Sequence, residues 1–253
     1  MSFEFRVLKK TKVKNPILLE GLPGIGNVGK LTSDYLIDTL KAEKWVDIKT
    51  FDMPNAVFVN EENLIERPSM SIYHKKLPKN DLLILVGDVQ PLDERACYEF
   101  CDSLLKFLVK YKTKEIIALG GIGLGSEPDD PRVFSASNDK KIVIRYKHKN
   151  LINELYGLVG PIVGVTGILP ALASDYKIPS IILLSETLGH PGHIGIKSSR
   201  AVLQILKDQF NLKINLKEMD EEIIEVEKEV KTKDLSVVNK KQKNAEQNVD
   251  YIG

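Results

Sequence analysis

The chain has 253 residues, 43% of them hydrophobic and 28% charged, with a formal net charge of +1. That balance is ordinary for a globular protein large enough to be stable without disulfides or metal, and it excludes a global field pulling the chain toward nucleic acid or anionic membrane. No apolar run approaches the ~20 residues that span a bilayer, and Met1–Arg6 lacks a signal pattern, so a cytoplasmic protein without nucleic-acid or membrane partners is expected.

In chain order, Ile17-Leu18-Leu19 reads as a strand running into a glycine turn, followed by a helix from about Gly29 to Lys41. Trp45 to Phe51 reads as a strand. Leu82-Leu83-Ile84-Leu85-Val86 is a continuous apolar run of the kind buried on both faces of a parallel sheet. Glu94 to Lys110 is helical, with Cys97, Phe100, Leu104, Leu105 and Leu108 on one face. Ile116 to Leu119 is the next strand, closed by Gly120-Gly121. Ile142 to Arg145 and Ile162 to Val165 read as further short strands, and Ile181 to Leu184 as the last strong one. Ser198 to Phe210 closes a domain spanning 1–212 as a helix. Strands alternating with helices imply an α/β fold with a sheet largely parallel at its centre.

Residues 213–253 differ in character. Leu216, Met219, Ile223, Val226 and Val230 recur at three- and four-residue spacing, as on a short amphipathic helix. From about Lys231 the chain is polar and is expected to be a flexible tail, with apolar residues returning only at Val249-Asp250-Tyr251-Ile252-Gly253.

The most patterned segment is Gly21-Leu22-Pro23-Gly24-Ile25-Gly26-Asn27-Val28-Gly29-Lys30. Gly24, Gly26 and Gly29 satisfy the dinucleotide fingerprint, with Asp52 near the place of the ribose-binding acid. They also nearly form a phosphate loop, but Leu31 stands where a hydroxyl must hold magnesium. Three readings stay open: a packing turn, an anion or small-molecule site, and a protein-docking edge. A second glycine cluster, Gly120 to Gly125 with Gly121 and Gly123 at its centre, could line the same crevice.

No Gly-x-Ser-x-Gly elbow is present. Ser185, Glu186 and His190 lack its setting, and His190-Pro191-Gly192-His193 does not aim two imidazoles at one metal. Cys97 and Cys101, one helical turn apart, read as small buried side chains. The expectation is therefore a non-enzyme without cofactor or metal. The alternative is a nucleotide- or nucleoside-binding protein or enzyme using the turns at 24–29 and 120–125.

Taken in order, the glycine segments resemble the proteasome assembly chaperone family, in particular archaeal and bacterial homologues of the second eukaryotic chaperone. The carriers are Leu19 to Gly29, Leu85-Val86-Gly87-Asp88-Val89-Gln90-Pro91, Gly120 to Gly123, Gly164 to Pro170, and Leu184-Ser185-Glu186-Thr187. The resemblance implies a three-layer α/β/α domain similar to nucleoside phosphorylases but without an established catalytic site. It further implies a homo-oligomeric scaffold whose partners are proteasome α-subunits or the core particle. It also implies a C-terminal docking signal of hydrophobic-Tyr-any form. Here Tyr251 is third from the end and Asp250 precedes it. Val249, Tyr251, Ile252 and Gly253 are thus candidates either for docking on the partner or for packing within the oligomer.

Overall fold

A computed structural model describes residues 3–91, 93–221, 223 and 224. The chain divides into two compact units, Met1–Ile214 and Asn215–Gly253. In the first, the strands are β1 (Phe3–Val7), β2 (Ile17–Gly21), β3 (Glu43–Thr50), β4 (Phe58–Val59), β5 (Ile65–Glu66), β6 (Met70–Lys75), β7 (Leu82–Gly87), β8 (Glu115–Leu124), β9 (Val133–Ser137), β10 (Leu151–Ile152) and β11 (Ser180–Leu188). The helices are α1 (Val28–Leu40), α2 (Glu94–Lys110), α3 (Lys140–Arg145), α4 (Val165–Ala173) and α5 (Ile196–Phe210).

Nine strands form one mixed sheet in the order β1-β3-β6-β7-β2-β8-β11-β9-β10, and β4 and β5 form a separate hairpin. The four central strands β7, β2, β8 and β11 are mutually parallel. Their sequences are apolar almost throughout because helices cover both faces. The α1 and α5 helices pack together over one face, and α2 and α4 over the other, which makes three layers.

On the α2 side, Leu18, Leu83, Leu85 and Ile116 meet Phe100, Leu104 and Leu108. The α2 helix starts where the Asp93 carboxylate accepts the Ala96 N–H at 2.8 Å, satisfying one of the donors left open at a helix start. At the sheet's edge, a bulge between Lys44 and Val46 lets consecutive Trp45 and Val46 both enter the core. The ring of Trp45 meets Tyr111 edge-on at 4.8 Å, and Phe3 packs on Phe100 at 5.2 Å, tying β1 and β3 to α2.

Three short segments differ from their sequence reading. Ile142 to Arg145 lies in helix α3, because Asp139 caps it by accepting the Lys141 N–H at 2.8 Å. Ile162 to Gly164 is irregular, and Val165 opens α4, whose uniformly apolar sequence hides its helical period. Gly120 and Gly121 do not close β8: the strand continues to Leu124, paired throughout with Leu184–Leu188 of β11. In the second unit, residues 217–221, 223 and 224 are helical. Val226, Val230 and the whole expected tail lie outside the described residues. No described helix is long and apolar enough to cross a membrane.

Candidate functional site

The carboxyl ends of β2, β8 and β11 converge with the start of α1, and the glycine segments meet there. After β2 the chain passes through a 3-10 turn, Ile25–Asn27, in which Gly26 (φ 61°) and Asn27 (φ 50°) are both left-handed. A side chain at Gly26 would be strained, and its Cβ would also lie 2.5 Å from the Thr187 hydroxyl. A Cβ on Gly29 would lie 2.7 Å from the Leu119 carbonyl oxygen, so the absence of a side chain is what seats α1 against β8. Gly121 abuts the Ile25 carbonyl and Gly123 abuts Gly189 in the same seam. The Gly26 carbonyl accepts the Gly195 N–H at 2.8 Å, which fastens the turn to the start of α5.

Gly26, Gly29, Gly121 and Gly123 are thus brought together. Asn27 is half-buried at the head of α1, where its side chain makes no cap hydrogen bond. Gly24 faces open space at the exposed tip. The room a pyrophosphate would need beside Gly26 holds the Thr187 side chain. Asp52 follows β3, which β6 and β7 separate from β2, so no acid stands in the ribose position beside this turn.

Beneath the seam lies Glu20, fully buried at the end of the central strand. Burial pushes its carboxyl up to about 7, partly offset by the Leu22 N–H, which donates to Oε1 at 3.0 Å, and by the Thr166 hydroxyl. Cys97 and Cys101 are free and buried on the neighbouring α2, and the Cys101 thiol is pushed up by its bond to Cys97 and by burial. Gln90 ties the site to α4: its Nε2 donates to the Pro23 carbonyl at 2.7 Å and its Oε1 accepts the Val165 N–H at 3.0 Å.

Ser185 and Glu186 are consecutive strand residues and point to opposite faces. The Ser185 hydroxyl is buried, whereas His190 is exposed in the following loop, so they form no relay. Glu186 instead accepts from Arg132, whose backbone N–H reaches Oε2 at 3.1 Å and whose Nε lies 2.9 Å from the same oxygen. The guanidinium holds the Glu186 carboxyl below its usual range and also lies over the Phe134 ring at 5.3 Å. This carboxylate therefore adds stability above the ordinary glutamate range and loses it as pH falls through its depressed value. Arg132→Ala is expected to lower stability at neutral pH, modestly because the arginine is largely exposed. The difference from the parent should shrink in acid. Urea unfolding at pH 7 and pH 3.5 checks both points.

The sequence reading assigned no role to Glu20, Gln90 or Thr187. For Glu20 a signal existed, a charge inside the apolar strand Ile17-Leu18-Leu19-Glu20. Gln90 and Thr187 stood only as members of the segments that carry the family resemblance, and their contacts are with residues distant in the chain. A polar groove of about 370 Å³ beside α1 is lined by Lys30, Asp34, Lys44, Tyr73 and Asp88. Its cations are already paired, Lys30 with Asp34 at 2.5 Å and Lys44 with Asp47 at 3.2 Å. Among the described residues, no three His, Cys, Asp or Glu side chains converge as metal ligands.

Pyrococcus furiosus PbaB, described as an archaeal proteasome activator, superposes with a TM-score of 0.84 at 30% identity, covering 92% of this chain and 99% of PbaB. Pyrococcus furiosus PbaA, described as an archaeal homolog of proteasome-assembly chaperone, shares the fold at TM-score 0.78 and 20% identity, covering 98% of each chain. An uncharacterised Methanocaldococcus jannaschii protein, MJ1210, is 29% identical over 247 residues, 95% of this chain and 93% of that protein. The PAC2 family model matches residues 18–233, a span holding every glycine segment described above, and the chain belongs to the PAC2 family.

Proposed function

We propose that the protein is a non-catalytic scaffold that assists assembly of the proteasome core particle, working as a homo-oligomer that binds α-subunits. The observation that carries this reading is the full-length likeness to PbaB, a proteasome activator, at 30% identity. The glycine seam supports it from another direction. At Gly26, Gly29 and Gly121 the close approach is made by the protein's own Thr187, Leu119 and Ile25, which weighs against the nucleotide reading. The apolar end of the chain, Val249, Tyr251, Ile252 and Gly253, is proposed as the partner-binding element, one copy per subunit. An oligomer would then bind multivalently, and weak single contacts would add up.

The test is capture of recombinant α-subunits from the same source by the full-length protein and by a variant ending at Asn248. Full-length protein is expected to retain them, and the truncated one to lose at least about ten-fold in apparent affinity, as lost avidity predicts. Equal capture by both would move the contact to the folded domain. Capture by neither, across salt conditions, would overturn the scaffold reading.

A further inference from the structure

The β4–β5 hairpin is built in a way that the rest of the domain does not explain. Its strands pair only with each other, Phe58 opposite Glu66 and Val59 opposite Ile65. Its tip is nonetheless well organised. The Asn60 carboxamide oxygen accepts the N–H groups of Glu62 at 3.0 Å and Leu64 at 2.9 Å, and its Nδ2 donates to Glu66 at 2.7 Å. A two-stranded hairpin without a packed face is marginal in water, because ordering each residue costs about 1–2 kcal/mol in conformational entropy. Yet Val57, Phe58, Val59, Leu64 and Ile65 are all exposed, Val59 by 65% and Ile65 by 74%, and Phe51 at the hairpin's root by 93%. Such a contiguous apolar arm on an ordered frame marks an interaction surface.

The charges on the arm indicate what covers it. Its tip is acidic, with exposed Glu61 and Glu62. At the sheet's free edge, β1 ends in exposed Val7 and Leu8, followed by Lys9, which is paired with Glu43 at 2.7 Å, and by the exposed lysines Lys10, Lys12 and Lys14. Apolar residues beside a basic run complement apolar residues beside an acidic tip. In one chain the two patches lie at opposite ends of β1. Phe3 pairs with Thr50, just before the hairpin root, while Val7 pairs with Val46, roughly 14 Å away at strand rise. Both patches are exposed, so they do not satisfy each other within a chain.

Resting on the homo-oligomer reading above, we infer that the β4–β5 hairpin of one copy docks on the Val7–Lys14 edge of the next copy. The two surfaces differ, so the contact is made either twice across a two-fold axis or head-to-tail around a closed ring. Residues 60–64 and 8–14 become the recognition elements: aliphatic contacts supply burial, and the Glu–Lys pairs set partner and register.

The test is light scattering on size-exclusion fractions of the full chain and three variants: E61K/E62K, K10E/K12E, and all four substitutions together. All four positions are exposed, so circular dichroism should show the fold unchanged. The parent is expected to be an oligomer. Each double reversal should weaken assembly at least about ten-fold by placing like charges together, and the fourfold swap should restore it. An oligomer that neither reversal disturbs would overturn the hairpin contact and leave the homo-oligomer reading standing. Weakening without restoration would overturn the pairing of these two patches. A parent that is monomeric at all concentrations would overturn both.

Discussion

Gly29→Val is expected to be strongly damaging at the glycine seam. A Cβ there would sit 2.7 Å from the Leu119 carbonyl oxygen and 3.3 Å from the Gly21 Cα, both backbone atoms of buried parallel strands. Neither can swing away as a flexible side chain would, so α1 must lift from β8 and open the packing beneath it. Overpacking of a rigid core costs about 1–3 kcal/mol, and the branched side chain puts this position at about 3. For a domain of this size that lowers the melting temperature by roughly 6–12 °C. Gly24→Ala is the control. It lies in the same motif, its φ of −159° is open to any residue, and a Cβ there meets nothing within 4 Å, so it should shift stability by less than about 0.5 kcal/mol. Thermal melts of both variants decide the matter. Equal stability of the two would mean that the seam is not what makes the motif glycine-rich.

The second large effect concerns Glu20 and pH. Its carboxyl is raised from 4.5 to about 7 in the folded protein, with burial as the main cause. Between those values the folded state keeps the proton that the unfolded state has released. Stability is therefore highest below about pH 4.5 on this group's account and falls as pH rises toward 7, by about 3 kcal/mol in all, then levels off. Glu20→Gln keeps the shape and the acceptor for the Leu22 N–H but cannot ionise. It is expected to match the parent at pH 4 and to exceed it by up to about 3 kcal/mol at pH 8. Urea unfolding across that range, read as the difference between variant and parent, isolates this group from every other titrating carboxyl. A difference that stays constant with pH would show that the Glu20 carboxyl titrates alike in the folded and unfolded states.

Much of the fold was legible from the chain itself. The runs Leu82–Val86, Ile116–Leu119 and Ile181–Leu184 read as strands covered on both faces, since nothing polar interrupts them and each is of strand length. The α2 helix was readable because its apolar residues repeat at helical spacing. The glycine order alone pointed to the family. Short segments were misread for a physical reason. Ile142–Arg145 and Ile162–Val165 are too brief for period to separate strand from helix; Asp139 caps the first as α3, and the second is irregular until Val165 opens α4.

The candidate site shows where sequence reading stops. That Gly24, Gly26 and Gly29 form a strand-to-helix turn follows from their spacing. Whether such a turn cradles a phosphate or a neighbouring strand does not, because the atoms that fill it come from Leu119 and Thr187, far along the chain. Likewise the apolar character of Val57 to Ile65 is plain in the sequence, but only the tertiary arrangement decides that β6, not this hairpin, pairs with β3, so that the hairpin's side chains stay in water. Local pattern determines which segments are ordered and which faces are apolar. What each face meets is decided by contacts between residues far apart in the chain, which no local pattern encodes.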